Sequence, residues 1–192
     1  MPDGPNRPAE GRSQKVKRLF REFEKTHKTA MDADKRVLVD QILHELTAHA
    51  FIEETIFYPS VRAEVPDTAE HVLESVEEHH VVAWLCSELK TLDPGEETFD
   101  AKVTVLIENV EHHVEAEENE WFPQVRKALG RKRLTELGEQ MQAASRPRQH
   151  PAFSERLSPT AAAVKAETWA RPAPSRPAVR APGGAASAVR FV

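Results

Sequence analysis

One pattern is written twice in this chain, 64 residues apart: a histidine, three residues, Glu-Glu, four residues, a proline, one residue, then Val-Arg. The first copy is HAFIEETIFYPSVR, from His49 through Glu53, Glu54 and Pro59 to Arg62; the second is HVEAEENEWFPQVR, from His113 through Glu117, Glu118 and Pro123 to Arg126. A His and a Glu four residues apart lie on one face of a helix, about 6 Å apart along its axis. Two such helices facing each other bring two imidazoles and two carboxylates into one interior. That donor set suits a transition metal, chiefly iron, manganese or zinc. Core packing alone seldom writes so long a pattern twice.

The rest of the chain supports helices around that pair. Apolar residues at 16, 19, 20 and 23 mark an amphipathic first helix over about Ser13–Thr29, after a Pro- and Gly-containing lead-in at 1–12. Asp32 reads as the N-cap of a second helix running from about Ala33 to Arg62, whose apolar stripe is interrupted by His49 and Glu53. Pro66 and Asp67 break the chain before a third helix over about Thr68–Leu92. DPGEE then precedes a fourth over about Thr98–Leu129, which Gly130 ends, and a short fifth helix covers 131–143. Pro59 and Pro123 should kink or terminate their helices. With no strand-like alternation and short connections, the fold class is all-α, an up-down-up-down four-helix bundle over 13–143. The matched repeats point to a duplicated helix pair.

Charge divides the chain at about the same boundary. Of 26 Lys+Arg and 31 Asp+Glu, the segment 144–192 takes eight of the first and two of the second, leaving the bundle acidic. An acidic core excludes nucleic acid as a partner, because phosphate neutralisation needs clustered Lys and Arg. Residues 144–192, rich in Ala, Pro, Arg and Ser, cannot bury enough apolar surface to order themselves and read as a disordered tail. Arg171, Pro174 and Pro177 form an R-x-x-P-x-x-P run there, which biased composition explains without a partner. One cysteine excludes an intrachain disulfide, and no apolar run approaches a membrane span of roughly 18 residues. The start lacks a signal-peptide core. These features give the expectation of a cytoplasmic protein that does not enter the membrane.

The third helix adds to the repeated pair. In SVEEHHVVAWLCSEL, Val82, Leu85, Cys86 and Leu89 set the apolar face, and His79 falls on it while His80 is rotated away by about 100°. On the fourth helix His113 aligns with Ile107, Val110 and Glu117, and His112 does not. Five interior donors result: His49, Glu53, His79, His113 and Glu117. Two buried carboxylates are costly without a counter-charge, and no Lys or Arg shares these stripes, so a metal is the natural partner. Glu54 and Glu118 read as solvated or as supports of the ligands, and Glu45 as either a surface carboxylate or an orienting partner of His49. His44, His71, His80 and His112 read as surface or rim, Cys86 as core filling, and Trp84 and Trp121 as packing.

With TAHAFIEETIFYP, VEEHHVVAWL and VEHHVEAEENEWFP in view, the chain resembles the hemerythrin-like, or HHE cation-binding, family over about 13–130. The resemblance implies a four-helix bundle holding two non-haem irons. By position, His49, His79 and His113 would be terminal ligands, and Glu53 and Glu117 would bridge. It also implies small ligands: O2, NO or peroxide, or iron itself. One departure stands out. The family usually carries another ligand His near the start of the first helix. A shift of 66 residues superposes Val82 on Val16, Leu85 on Leu19 and Leu89 on Phe23, which puts His79 opposite Ser13. His27 lies about 21 Å further along the helix and cannot substitute. Either the site has five protein ligands or the first helix is altered and the site weakened. An under-ligated iron should favour oxidase, peroxidase or NO chemistry over reversible O2 storage. The alternative is a degenerate scaffold acting as an interaction module; whether the chain is an enzyme stays open at this level.

Overall fold

The structure, a computed structural model, describes residues 7–145, with side chains from residue 14 onward. Six α-helices follow one another: α1 (Arg7–Thr26), α2 (Asp32–Ile52), α3 (Tyr58–Glu64), α4 (Ala69–Thr91), α5 (Glu97–Ala116) and α6 (Phe122–Ala144). Two five-residue π-helical segments, Glu53–Phe57 and Glu117–Trp121, join α2 to α3 and α5 to α6, so the six helices form the four rods of a bundle. Among the described residues there is no strand. The proposed tail lies outside the described residues.

Two apolar clusters hold the rods together. One joins Val16, Leu19, Phe20 and Phe23 of α1 to Ile42 and Leu46 of α2, Val82, Cys86 and Leu89 of α4, and Phe99, Leu106 and Val110 of α5. The other gathers Phe57, Tyr58, Val61, Val72, Val76, Trp121 and Val125 around the far ends of the second, third and fourth rods. Each large side chain so buried stabilises the fold by about 1.5–3 kcal/mol. Along α2, α4 and α5 the inward-facing His and Glu residues fall between the two clusters, so the polar layer is sealed from both ends. Cys86 belongs to the first cluster, and burial pushes its thiol up to about 12.

Several local expectations change. α1 starts at Arg7 rather than Ser13, and the N-cap of α2 is Met31, with Asp32 in the first turn favouring the positive end of the helix dipole. Trp84 is not packing: it is 55% exposed on the outer face of α4, with Lys102 Nζ 5.8 Å from its ring centre. Trp121 is buried and packs 5.9 Å from Phe57, its counterpart in the first repeat. Pro59 and Pro123 neither end nor sharply break their rods. They sit at the second position of α3 and α6, directly after the π segments. Lacking an N–H, each proline leaves a carbonyl one turn back without its donor. The widened turn redirects the ladder: the Tyr58 N–H bonds to the Glu53 carbonyl and the Phe122 N–H to the Glu117 carbonyl, both five residues back.

The fourth rod bends at Gly130, whose φ of 71° and ψ of 171° interrupt α6. Beyond it the helix resumes and Arg133 donates to both carboxylate oxygens of Glu64 at 2.7–3.0 Å, closing the last segment over the second cluster. Nothing lies within 4 Å of where a Cβ would stand at Gly130, so a substitution there is resisted by backbone conformation alone. Gly130→Ala is expected to cost about 1–3 kcal/mol in a denaturant melt while leaving metal content per chain unchanged.

Candidate metal centre

Each π segment begins on the glutamate of its repeat, so Glu53 and Glu117 close an α-helix and open a widened turn at once. His49, one turn earlier, faces Glu53 with Nε2 3.1 Å from Oε2; His113 faces Glu117 at 3.6 Å. One donor atom from each of these four residues lies within 4.8 Å of the other three. His79 of α4 joins from the side, its Nε2 3.1 Å from His113 Nε2 and 3.6 Å from Glu53 Oε2. All five residues read from the sequence therefore meet in one layer. The side chains of Glu53, His79, His113 and Glu117 keep only 3–4% exposure, while His49 keeps 14%.

Further carboxylates aim two of the rings. His79 Nδ1–H donates to Glu54 Oε1 at 3.1 Å, and His113 Nδ1–H donates to Glu78 Oε2 at 2.6 Å. In the neutral ring each bond selects the tautomer whose Nε2 carries a lone pair, the usual arrangement behind a metal-binding histidine. Two such lone pairs 3.1 Å apart repel unless a proton or cation lies between them. Two nitrogens bound about 2.1 Å from one cation at near right angles stand about 3 Å apart, which matches. Glu53 Oε2 is buried and accepts no hydrogen bond, although two imidazole nitrogens approach it. The donor set, its spacing and that orphaned oxygen fit a cation.

The electrostatics agree. Burial, then the charges of Glu117 and Glu54, hold the Glu53 carboxyl well above its ordinary value. Burial also raises Glu117, against the opposing pull of His113 and Tyr58. Burial alone would lower His113, but its bond to Glu78 and the charge of Glu117 outweigh that and raise it; the same bond lowers Glu78. The layer wants positive charge.

Glu54 is buried rather than solvated, whereas Glu118 lies at the surface, 3.5 Å from Lys17. Glu45 is also buried and accepts from Lys15 of α1 at 2.6 Å. His44 and His112 are exposed and His71 and His80 half-buried, as expected of surface and rim positions. The side chain of Ser13 lies outside the described residues; its backbone is part of α1.

Tyr58 went unread in the sequence. It is fully buried, donates its hydroxyl to Glu117 Oε1 at 2.7 Å and stands 3.5 Å from His79 Nε2. Burial and the charges of Glu117 and Glu53 push its phenol well above the usual range. The signal was present: Tyr58 occupies the position that Phe122 takes in the second repeat, and a hydroxyl gained at a core position needs a partner.

Fold and site together define a four-helix bundle with a buried His–carboxylate cluster able to hold a metal cation. The hemerythrin HHE cation-binding domain model matches residues 13–125, and the chain belongs to that family. No curated protein matches it. No solved structure does either.

Two outcomes follow from this geometry. Tyr58→Phe removes the donor to a buried carboxylate and is expected to lower stability by about 1–3 kcal/mol in urea melts of the chelated protein. Glu53 and Glu117 both titrate above 4.5, so their contribution is full below that pH and is lost as pH rises through the raised values. Thermal melts of the chelated protein should therefore show Tm falling with rising pH above 4.5. Stabilisation by added metal should grow over the same range, because binding displaces those protons.

Proposed function

We propose that this chain is a non-haem iron protein whose centre, held by His49, Glu53, His79, His113 and Glu117, is dinuclear and serves a small ligand: O2, NO or peroxide. The observation that carries the reading is the pair of imidazole Nε2 atoms 3.1 Å apart beside the carboxylates of Glu53 and Glu117. In that role His49, His79 and His113 would bind as neutral imidazoles, and Glu53 and Glu117 would supply negative charge to balance the metal. Glu54 and Glu78 hold two rings in register, and Tyr58 fixes one oxygen of Glu117 while leaving Oε2 turned to His113. Iron would supply redox change and an open position for a diatomic or peroxide ligand. The two apolar clusters keep bulk water from both ends of the layer.

With three histidines and two glutamates, one cation would have two imidazoles and a carboxylate and the other fewer protein ligands. Such a set leaves room for exogenous ligands and favours reaction over storage. No helix among the described residues is long and apolar enough to cross a membrane. The test is iron per chain after anaerobic reconstitution, with His113→Ala alongside. About two irons, lost in the variant, is the expected result. About one would replace the pair with a mononuclear centre, and none would favour the reading as a scaffold that has lost its metal.

A further inference from the structure

Six large apolar side chains stand exposed among the described residues, and three of them, Val81, Trp84 and Val105, share one face of the bundle. Val81 and Trp84 lie one turn apart on α4. The contacts of Glu88 with Lys102 and of Glu78 with His113 set the register of α4 against α5. Lys102 Nζ stands 5.8 Å from the centre of the Trp84 ring, and Val105 follows Lys102 by one turn on the same side of α5. An indole with two valines beside it thus lies along the outer groove between the two helices. Carboxylates frame it: Glu77 one turn before Val81, Glu88 one turn after Trp84, and Glu108 one turn beyond Val105, all exposed or half-buried. His80 and Lys102 each occupy one oxygen of the first two, Oε2 in both.

An acidic groove with an aromatic floor suits a basic, proline-rich segment. Prolines in the polyproline conformation pack on an aromatic face, and guanidinium groups stack on indole or pair with carboxylates. The chain carries one such segment, RPAPSRPAVR at 171–180, inside a region of eight Lys+Arg and two Asp+Glu. Its composition alone names no partner; the face of α4 and α5 does. We propose that residues 171–180 dock in the outer groove of α4 and α5, across Trp84, within their own chain. In a polyproline helix Arg171 and Arg176 stand about 16 Å apart. Glu77 and Glu88 on α4 stand about 16–17 Å apart along the axis at 1.5 Å per residue. Pro172 and Pro174 then fall between the two arginines, at the level of Val81 and Trp84. Reach does not limit the contact, since residues 146–170 intervene after α6, and a coil of that length spans about 25–30 Å, the length of a 20-residue helix. Tethering raises the effective concentration of the segment to about the millimolar range, ahead of a free partner of equal affinity. A second copy of the bundle would oppose like carboxylates at this face. Elsewhere on the bundle α1 presents Lys15, Lys17, Arg18 and Arg21, which repel the segment.

The test uses the full-length chain with the photo-crosslinking residue p-benzoylphenylalanine in place of Ala173, whatever metal the protein carries. Illumination followed by peptide mapping should place the crosslinks on α4 and α5, within 77–88 and 102–109, and not on α1. Arg171→Glu together with Arg176→Glu should cut that yield about fivefold or more, as should about 0.5 M salt, where the screening length falls to about 4 Å. Trp84→Ser should cut it as far, and its exposed position predicts an unchanged melting temperature, which separates lost docking from a lost fold. Crosslinks spread evenly over the bundle or centred on another face overturn the proposal, and so does a yield indifferent to the two arginines. Mixing heavy- and light-isotope chains decides the last point. Crosslinks within single chains are expected, and mixed-isotope pairs would move the segment onto a second copy and overturn docking within its own chain.

Discussion

Two carboxylates buried in the middle of an apolar bundle set the terms for everything around them. Isolated, each would cost several kcal/mol after protein relaxation, a large share of the stability of a domain this size. Neutralisation by protons is one answer, and the raised positions of Glu53 and Glu117 describe it. Yet protons on the carboxylates leave the two imidazole Nε2 atoms, held facing each other by Glu54 and Glu78, still in need of a proton or a cation between them. A bound cation answers both demands together. The orientation of the rings by carboxylates keeps both Nε2 atoms turned to the layer, where one cation can take the place of a shared proton.

The backbone serves the same end. In a regular α-helix, Glu53 and the residues after it would keep one angular register from α2 into α3. His49 and Glu53 already share a face by their spacing, and the π turn that follows adds one residue, so that Tyr58 N–H meets the Glu53 carbonyl and both Phe57 and Tyr58 reach the second cluster. The prolines at 59 and 123 make that turn the natural local solution, since a regular helix would leave their carbonyl partners without donors. The cluster is thus built into the ladder of hydrogen bonds on two rods, and α4 only has to deliver His79 between them.

Much of this was legible. His49, Glu53, His79, His113 and Glu117 could be read because helical periodicity is strict and the repeat showed which residues were special. What periodicity cannot show is where a helix widens, so Pro59 and Pro123 were read as kinks. It also cannot rank two faces of a helix that both carry apolar residues: Trp84 looked like core, and α4 turns it outward in favour of the stripe running through His79, Val82 and Cys86. Glu45 and Glu54 were ambiguous for the same reason, since a carboxylate is placed by a partner on another rod, Lys15 for one and His79 for the other. Tyr58 is hidden from a reading by repeat, because it stands where the two copies differ, opposite Phe122.

The differences between the repeats are coupled. Glu54 of the first repeat turns inward because α4 offers it His79. Its counterpart Glu118 would look to the equivalent place on α1, where the sequence has Ser13, and Glu118 instead lies at the surface near Lys17. One missing imidazole thus accompanies a carboxylate released to solvent. A duplicated bundle made of two equal halves would surround its cations evenly. This one draws an imidazole from α4, His79, where the matching position of α1 is Ser13 in the sequence, so two cations held here would differ in their protein ligands.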